Sequence, residues 1–375
     1  MNLYYFDHAA TDIPREEAIA AANDAFARYG NPGSLHKAGI DAKNIIDGAR
    51  KKVASALRCN PNEVIFTGGG TESNLTAIFG IAKARAKRSK TIVTTDSEHP
   101  SVAMPINALE EEGYKVIRLS TRDGKIDTEE LKNALSEPVA LVSVMLVNNE
   151  TGAEYDVAAI RKEIDRSGCG ALFHIDAVQG FLKTKDRNLI KKNADTASIA
   201  AHKVGGIKGI GALYIKNGVK IPPFILGGGQ EGGMRSGTEN VPAIAAFGAA
   251  CEAFDESEIA HSEELNDYTV GLLKNSGLGV IFRLPEKRSK AILSISVKGA
   301  RSEVTLNALS NSGFCVSAGS ACSAKRGGST VLEAYGATKD EVGTALRISF
   351  GRENTKEDCE KLVENIENIA KRLVK

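Results

Sequence analysis

From Val64 to about residue 215 the chain alternates short apolar runs with helical patterns. No other feature restricts the fold as much. The runs are Val64–Phe66, Thr91–Thr94, Val116–Leu119, Leu141–Val147, Leu172–Asp176, Thr196–Ala200 and Ala212–Ile215. Several are continuously apolar rather than alternating, as expected of strands covered on both faces. Segments of helical character, such as Asn74–Lys87 and Ser101–Glu112, separate them. The pattern predicts an α/β fold, an open and mainly parallel seven-stranded sheet flanked by helices. In such sheets the ligand lies outside the carboxyl ends of the strands. Residues just beyond each run are therefore the first functional candidates.

Two helices are expected before the sheet. Asp12-Ile13-Pro14-Arg15-Glu16-Glu17 reads as a helix start, with Ala18, Ile19, Ala22, Phe26 and Tyr29 on one face. The second fits Ile40–Leu57, with Ile45, Ile46, Ala49, Val53 and Leu57 inward. Past residue 255 the character changes. A polar helix, Glu256–Lys274, leads into Ile292–Val297, a helix near Glu303–Ser310, Cys315–Ser317 and Leu346–Phe350. The end is a helix opened by a Thr355-x-x-Asp358 capping box, with Leu362, Val363, Ile366, Ile369 and Leu373 on one face. This second part predicts a smaller α+β domain. A chain of 375 residues is too long for one simple core, which agrees with such a division.

A formal net charge of +1 gives no footing for direct nucleic-acid or membrane-surface binding. No apolar run approaches a membrane span. The first residues lack the charged and apolar regions of a signal peptide, so a cytoplasmic location is expected. The six cysteines, at 59, 169, 251, 315, 322 and 359, form no C-x-x-C pair and are expected as free thiols.

The candidate chemistry sits at strand ends. His202-Lys203 follows the run Thr196–Ala200, and Gly205-Gly206 comes just beyond. A lysine there suits Schiff-base formation, because burial and a neighbouring cation lower its pKa from about 10.4. A solvated lysine at a strand end is the plain alternative. Gly68-Gly69-Gly70-Thr71 joins a strand to a helix. It fits either a phosphate site on the helix N-terminus, with Thr71 as N-cap, or a tight turn. It is neither a Walker A loop nor a G-x-G-x-x-G dinucleotide fingerprint. His99 could stack on a flat cofactor or cap a helix. Asn148-Asn149 could position a ligand or form an Asx-turn. Asp176 ends a buried run and needs a positive or hydrogen-bonding partner. Gly227–Thr238 is a glycine-dense loop with one arginine, open to a phosphate, interface or disordered role. Cys322 lies among small residues beside Lys325 and Arg326, which favour thiolate. Arg347, inside a strand pattern, calls for a carboxylate, the protein's own or a substrate's.

Taken in order, from Tyr5-Phe6-Asp7-His8-Ala9-Ala10-Thr11 to Arg347-Ile348-Ser349-Phe350-Gly351-Arg352, these stretches resemble the cysteine desulfurases. These are fold type I pyridoxal-phosphate enzymes of the class V aminotransferase group. Ser320-Ala321-Cys322 resembles the branch with a long cysteine loop. The resemblance implies a large cofactor-binding domain over 12–257, and a small domain of 1–11 and 258–375 that carries the cysteine loop. It implies pyridoxal 5'-phosphate held through Lys203 as a Schiff base. Asp176 would face the pyridinium nitrogen and Gln179 the ring hydroxyl, with Asn149 nearby. His99 would stack on the ring and assist proton transfer. Gly70, Thr71 and His202 would hold the phosphate, and Thr238 would arrive from the second subunit of a homodimer. Arg347 would clamp the α-carboxylate of L-cysteine. Cys322 would take up the sulfur as a persulfide, releasing alanine, for an acceptor protein in iron–sulfur assembly or thiolation.

The chain departs from that pattern at Ala200 and Ala201, where serine and glycine are usual, in Val204-Gly205-Gly206-Ile207, which lacks the proline usual in that loop, and at Gly232, where arginine is common. The Ala200 departure removes one phosphate hydroxyl, so weaker cofactor retention is expected. Selenocysteine lyases and other fold type I lyases are alternatives, as is a non-catalytic sulfur-transfer scaffold.

Overall fold

The computed structural model describes residues 3–319 and 328–373. The strands in chain order are β1 (Tyr4–Tyr5), β2 (Val64–Thr67), β3 (Thr91–Thr95), β4 (Lys115–Leu119), β5 (Leu141–Met145), β6 (Leu172–Asp176), β7 (Thr196–Ala200), β8 (Gly211–Ile215), β9 (Val280–Arg283), β10 (Ile292–Val297), β11 (Phe314–Cys315) and β12 (Ala345–Ser349). A seven-stranded sheet has the order β2-β8-β7-β6-β5-β3-β4. Only β8 runs antiparallel, to both of its neighbours. All seven expected runs became its strands. β5 is the shortest relative to expectation, because the chain turns away after Met145 and Val147 bridges Glu154 instead.

β5, β6 and β7 are buried along their whole length, which explains why they read as continuous apolar runs. Their core includes Val142, Val144, Phe173, Ile175, Ala197 and Ile199. A separate core gathers Phe6, Leu293, Ile295, Leu346, Ile348, Leu362 and Ile366. It lies around the antiparallel sheet β12-β10-β9, the short parallel pair β1-β11 and the final helix Lys356–Leu373. The capping box forms: Asp358 N donates to Thr355 Oγ1 at 3.2 Å and Thr355 N to Asp358 Oδ2 at 2.9 Å.

One expectation needs correction, and one open alternative is resolved. The first helix is Glu16–Ala27, starting after Pro14 with Arg15 as its N-cap rather than Asp12. Its buried face is Ala18, Ala22 and Ala25, whereas Phe26 is 68% exposed and Tyr29, just past its end, 90%. Close packing on the helix Val241–Glu252 selects the alanines, and the larger side chains face outward. The glycine-dense loop is ordered by Glu231. Its carboxylate takes two bonds from Arg50, at 2.6 and 2.8 Å, and one from Phe66 N at 2.8 Å. None of the described helices is long and apolar enough to cross a membrane.

Candidate active site

The strand ends converge on a cavity of about 290 Å³ lined by Gly70, Thr71, His99, Asn149, Asp176, Gln179, His202, Lys203 and Arg347, with Ala9 and Ala10 closing one side. Nine of the expected site residues therefore share one wall system. A larger cleft, about 640 Å³, lies elsewhere, and Lys183, Glu258 and Arg288 are among its lining residues. Its cations are mostly paired, as in Arg15–Glu258 and Lys185–Glu263.

Lys203 follows β7 in a short 3₁₀ turn, Ala201–Lys203. Its Nζ donates to Ala9 O at 2.6 Å and Ala10 O at 2.8 Å. Burial, then the nearby cations Lys183 and Arg347, bring its pKa down to about 7 against the opposing pull of Asp7 and Asp176. Half of such amines are neutral, and so nucleophilic, at neutral pH.

Asp176 ends β6 and is 5% exposed. Oδ1 accepts from Val178 N at 3.0 Å, and Oδ2 accepts from Asn74 Nδ2 at 2.9 Å. Asn74 is fully buried, and its Oδ1 lies 3.0 Å from His174 Nε2. Burial lowers the His174 pKa to about 3, so that ring is neutral. Because the Asn74 NH₂ donates to Asp176, its Oδ1 is the acceptor facing His174, so Nε2 carries the hydrogen and Nδ1 accepts from the Thr196 hydroxyl 2.9 Å away. Both sequence positions were in view, but the role of Asn74 was not. A fully buried amide at the start of a helix was the signal available.

His99 caps the helix Pro100–Glu111, and Ser101 N donates to its Nδ1 at 3.1 Å. Nδ1 is thus an acceptor and Nε2 bears the hydrogen. Burial holds its pKa below the usual imidazole value. Beside it, Glu98 accepts through Oε1 from Thr95 Oγ1 and Met145 N, at 2.6 and 3.0 Å. Its Oε2 is buried without a partner among the described residues, and burial raises its pKa to about 8. It is neutral at pH 7.

The Asx-turn at Asn148-Asn149 belongs to Asn148, whose Oδ1 accepts from Glu150 N and Thr151 N, each at 2.9 Å. That turn presents Asn149 to the cavity. Arg347, 3% exposed on β12, donates from Nη1 to Asn149 O and from Nη2 to Asp7 Oδ1, each at 2.8 Å.

The helix Gly70–Arg85 begins earlier than expected. Gly69 is its N-cap at φ 150°, so Thr71 lies in the first turn rather than at the cap. No side chain caps this end, which leaves first-turn N–H groups for an anion. A Cβ on Gly70 would come within 2.7 Å of Val178 Cγ2, so the cavity wall there admits only glycine. His202 Nδ1 lies 3.3 Å from Thr11 Oγ1, and burial brings its pKa to about 4. Gln179 Nε2 donates to Ala9 O at 2.6 Å, while its buried Oε1 has no partner among the described residues. Thr238 is exposed and lies outside this cavity. Cys322 lies outside the described residues.

These groups fit a phosphorylated pyridine aldehyde. There is a lysine of lowered pKa, a carboxylate at the far end, an orphaned acceptor at Gln179 and an uncapped helix end for a phosphate.

The aminotransferase class-V family model matches residues 4–362. A protein named cysteine desulfurase IscS from Clostridium botulinum is 36% identical over 380 residues, covering 98% of this chain and 94% of its own. A NifS/IcsS protein homolog from Lactobacillus delbrueckii subsp. bulgaricus is 36% identical over 377 residues, covering 98% and 97%. A solved structure titled NifS-like protein superposes with a TM-score of 0.92 at 34% identity, over 99% of this chain and 100% of that one. The matching fold, the full-length coverage and the convergent strand-end residues lead to one assignment: the chain belongs to the aminotransferase class-V family.

Proposed function

We propose that this protein is a pyridoxal-phosphate-dependent cysteine desulfurase. The observation that carries the reading is the meeting of Lys203, Asp176, His99 and Arg347 in one cavity. The overall balance is L-cysteine plus an enzyme thiol giving L-alanine plus an enzyme persulfide. The substrate's Cβ–S bond breaks, an S–S bond forms to Cys322 Sγ, and Cβ keeps the electron pair and takes up a proton. Bound pyridoxal phosphate supplies an electron sink for charge developing on the substrate.

The chain's own groups have distinct tasks in this reading. Lys203 would hold the cofactor, and the Ala9 and Ala10 carbonyls would hold its amine when it is free. Asp176, fixed by Asn74, would keep a proton on the ring nitrogen. Gln179 Oε1 would meet the ring hydroxyl, and Gly70, Thr71 and His202 the phosphate. His99 would stack on the ring and move protons through Nε2. Arg347 would take the α-carboxylate beside Asn149. Cys322 would receive the sulfur as a thiolate.

We assign a large domain to 12–257 and a small one to 1–11 with 258–375, on the strength of the two separate cores. A homodimer is supported by exposed Phe26, Tyr29, Leu35 and Leu226, and it accounts for Thr238, whose partner would be the other subunit's phosphate. The sulfur would pass to an acceptor protein of iron–sulfur assembly or thiolation, in the cytoplasm.

The test is alanine and persulfide formation from L-cysteine by the cofactor-loaded protein and by Cys322→Ala. A desulfurase loses sulfur release in the variant. Undiminished turnover with Cys322→Ala would point instead to a lyase, and a protein that stays colourless with added cofactor to a non-catalytic scaffold.

A further inference from the structure

Residues 6–9 form a strap fastened to the end of β12. Ser349 N and Ser349 Oγ both donate to Phe6 O, at 2.8 and 3.2 Å, and Ala9 N donates to Ser349 Oγ at 2.9 Å. Asp7 bridges to Ser349, two residues along the strand from Arg347. Residues two apart on a strand point to the same face, so the fastened strap brings the Asp7 carboxylate to the guanidinium. The bond is monodentate, from Nη2 to Oδ1 at 2.8 Å. Arg347 lines the cavity and Asp7 does not, so Asp7 grips the arginine from outside. Among the described residues Asp7 is the one acid paired with Arg347. The Asn149 carbonyl takes a second N–H, and Nε is buried without a partner among the described residues.

The charge of that end of the cavity follows. Asp7 offsets part of the Arg347 charge, so a substrate carboxylate meets directed N–H groups with a reduced surplus of positive charge. Of the other lining groups, His99 and His202 are held neutral by burial and Asp176 is an acid. Lys203 belongs to the cofactor. Among the described lining residues a second carboxylate on the substrate would find no counter-ion, and burying an unpaired charge is costly.

We propose that Asp7 is a specificity-determining positioning residue. By holding one fork of Arg347 it leaves that side chain fitted to a single carboxylate, so the site takes small monocarboxylate amino acids and turns away dicarboxylates. The proposal rests on the reading that Arg347 binds the substrate's α-carboxylate. The strap also contributes the two carbonyls that hold Lys203, and Asp7 is one of the two acids that oppose the lowering of its pKa. Lys183, Arg347 and Asp176 are the other charges acting on that amine.

Asp7→Asn keeps an acceptor for Nη2 and removes the charge, which isolates the electrostatic part. In the cofactor-loaded protein, L-aspartate binding is read from the visible spectrum and from inhibition of L-cysteine turnover. Asp7→Asn is expected to tighten L-aspartate binding by about tenfold while the KM for L-cysteine falls by about threefold or less. Asp7→Ala is expected to shift the same ratio with weaker binding of both. In the cofactor-free protein the pH midpoint for Lys203 reacting with an aldehyde moves down in both variants. An aspartate-to-cysteine ratio unchanged in Asp7→Asn and Asp7→Ala overturns the proposal, since a merely structural residue moves both ligands together. Arg347→Gln separates the two ideas. Lost cysteine affinity there with unchanged Asp7 ratios sinks only the role of Asp7, and unimpaired affinity sinks the carboxylate reading and the proposal with it.

Discussion

Asn74 donates to Asp176 Oδ2 at 2.9 Å, while its own Oδ1 lies 3.0 Å from His174 Nε2. The three side chains are at most 5% exposed. A helix-borne amide is therefore fixed from behind by a neutral histidine and aims both N–H groups forward, the second at Ser101 Oγ at 2.9 Å. Asn74→Ala leaves one oxygen of a buried carboxylate short of a donor, a loss of about 1–3 kcal/mol. We expect cofactor affinity to fall about tenfold or more, measured by equilibrium dialysis. Asn74→Asp should be worse, because a second acid there favours protonation of Asp176.

Lys203 gives the pH dependence its sign. Its pKa is lowered to about 7, and only the neutral amine attacks an aldehyde. The rate of cofactor uptake by the cofactor-free protein should thus rise through pH 7 and level off above pH 8. Lys183 is the cation with the largest effect on it. Lys183→Met removes that charge, so the Lys203 pKa rises and the limb moves to higher pH. Stopped-flow absorbance across pH 6–9 reads the shift directly.

Ala200 ends β7 and lines the cavity, with its Cβ 3.6 Å from where a Cβ on Gly70 would stand. A serine there could offer a hydroxyl to the phosphate held at the helix N-terminus. Ala200→Ser should slow cofactor loss by about tenfold or more, the effect of one added hydrogen bond to a charged group of about 1.5–3 kcal/mol. The dissociation rate after dilution into a cofactor trap checks it, and no gain would remove the idea that this alanine weakens retention.

Glu231 anchors the glycine-dense loop to Arg50, with its side chain 2% exposed. Arg50 also lies over the Phe66 ring, at 4.7 Å from its centroid. Arg50→Ala leaves a buried carboxylate without its cation, at about 3–5 kcal/mol. Urea unfolding should show a lower midpoint. Because Thr238 lies on the same loop, the apparent dimer dissociation constant should rise as well.

The sheet was legible because strands buried on both faces read as near-continuous apolar runs, several of them followed closely by polar residues. Lys203, Asp176, His99 and Asn149 could be found for the same reason. Asn74 and Asp7 were not, since each acts through a side chain distant in sequence: Asn74 on Asp176 and Asp7 on Arg347. The outward turn of Phe26 and Tyr29 was misread because periodicity shows an apolar face but not whether a second helix or a second subunit covers it. The sequence left the loop around Glu231 open between phosphate, interface and disordered roles, because its ordering partner, Arg50, lies on a helix far earlier in the chain.

The central claim is that the amine at 203, and no other, bonds to the cofactor aldehyde. Lys183, whose charge acts on Lys203 but which lines the other cleft, gives the test a built-in comparison. Borohydride reduction of the yellow protein, followed by peptide mass spectrometry, should find the reduced pyridoxyl group on the peptide containing Lys203. A label on Lys183, or no label with Lys203 unmodified, would contradict the account.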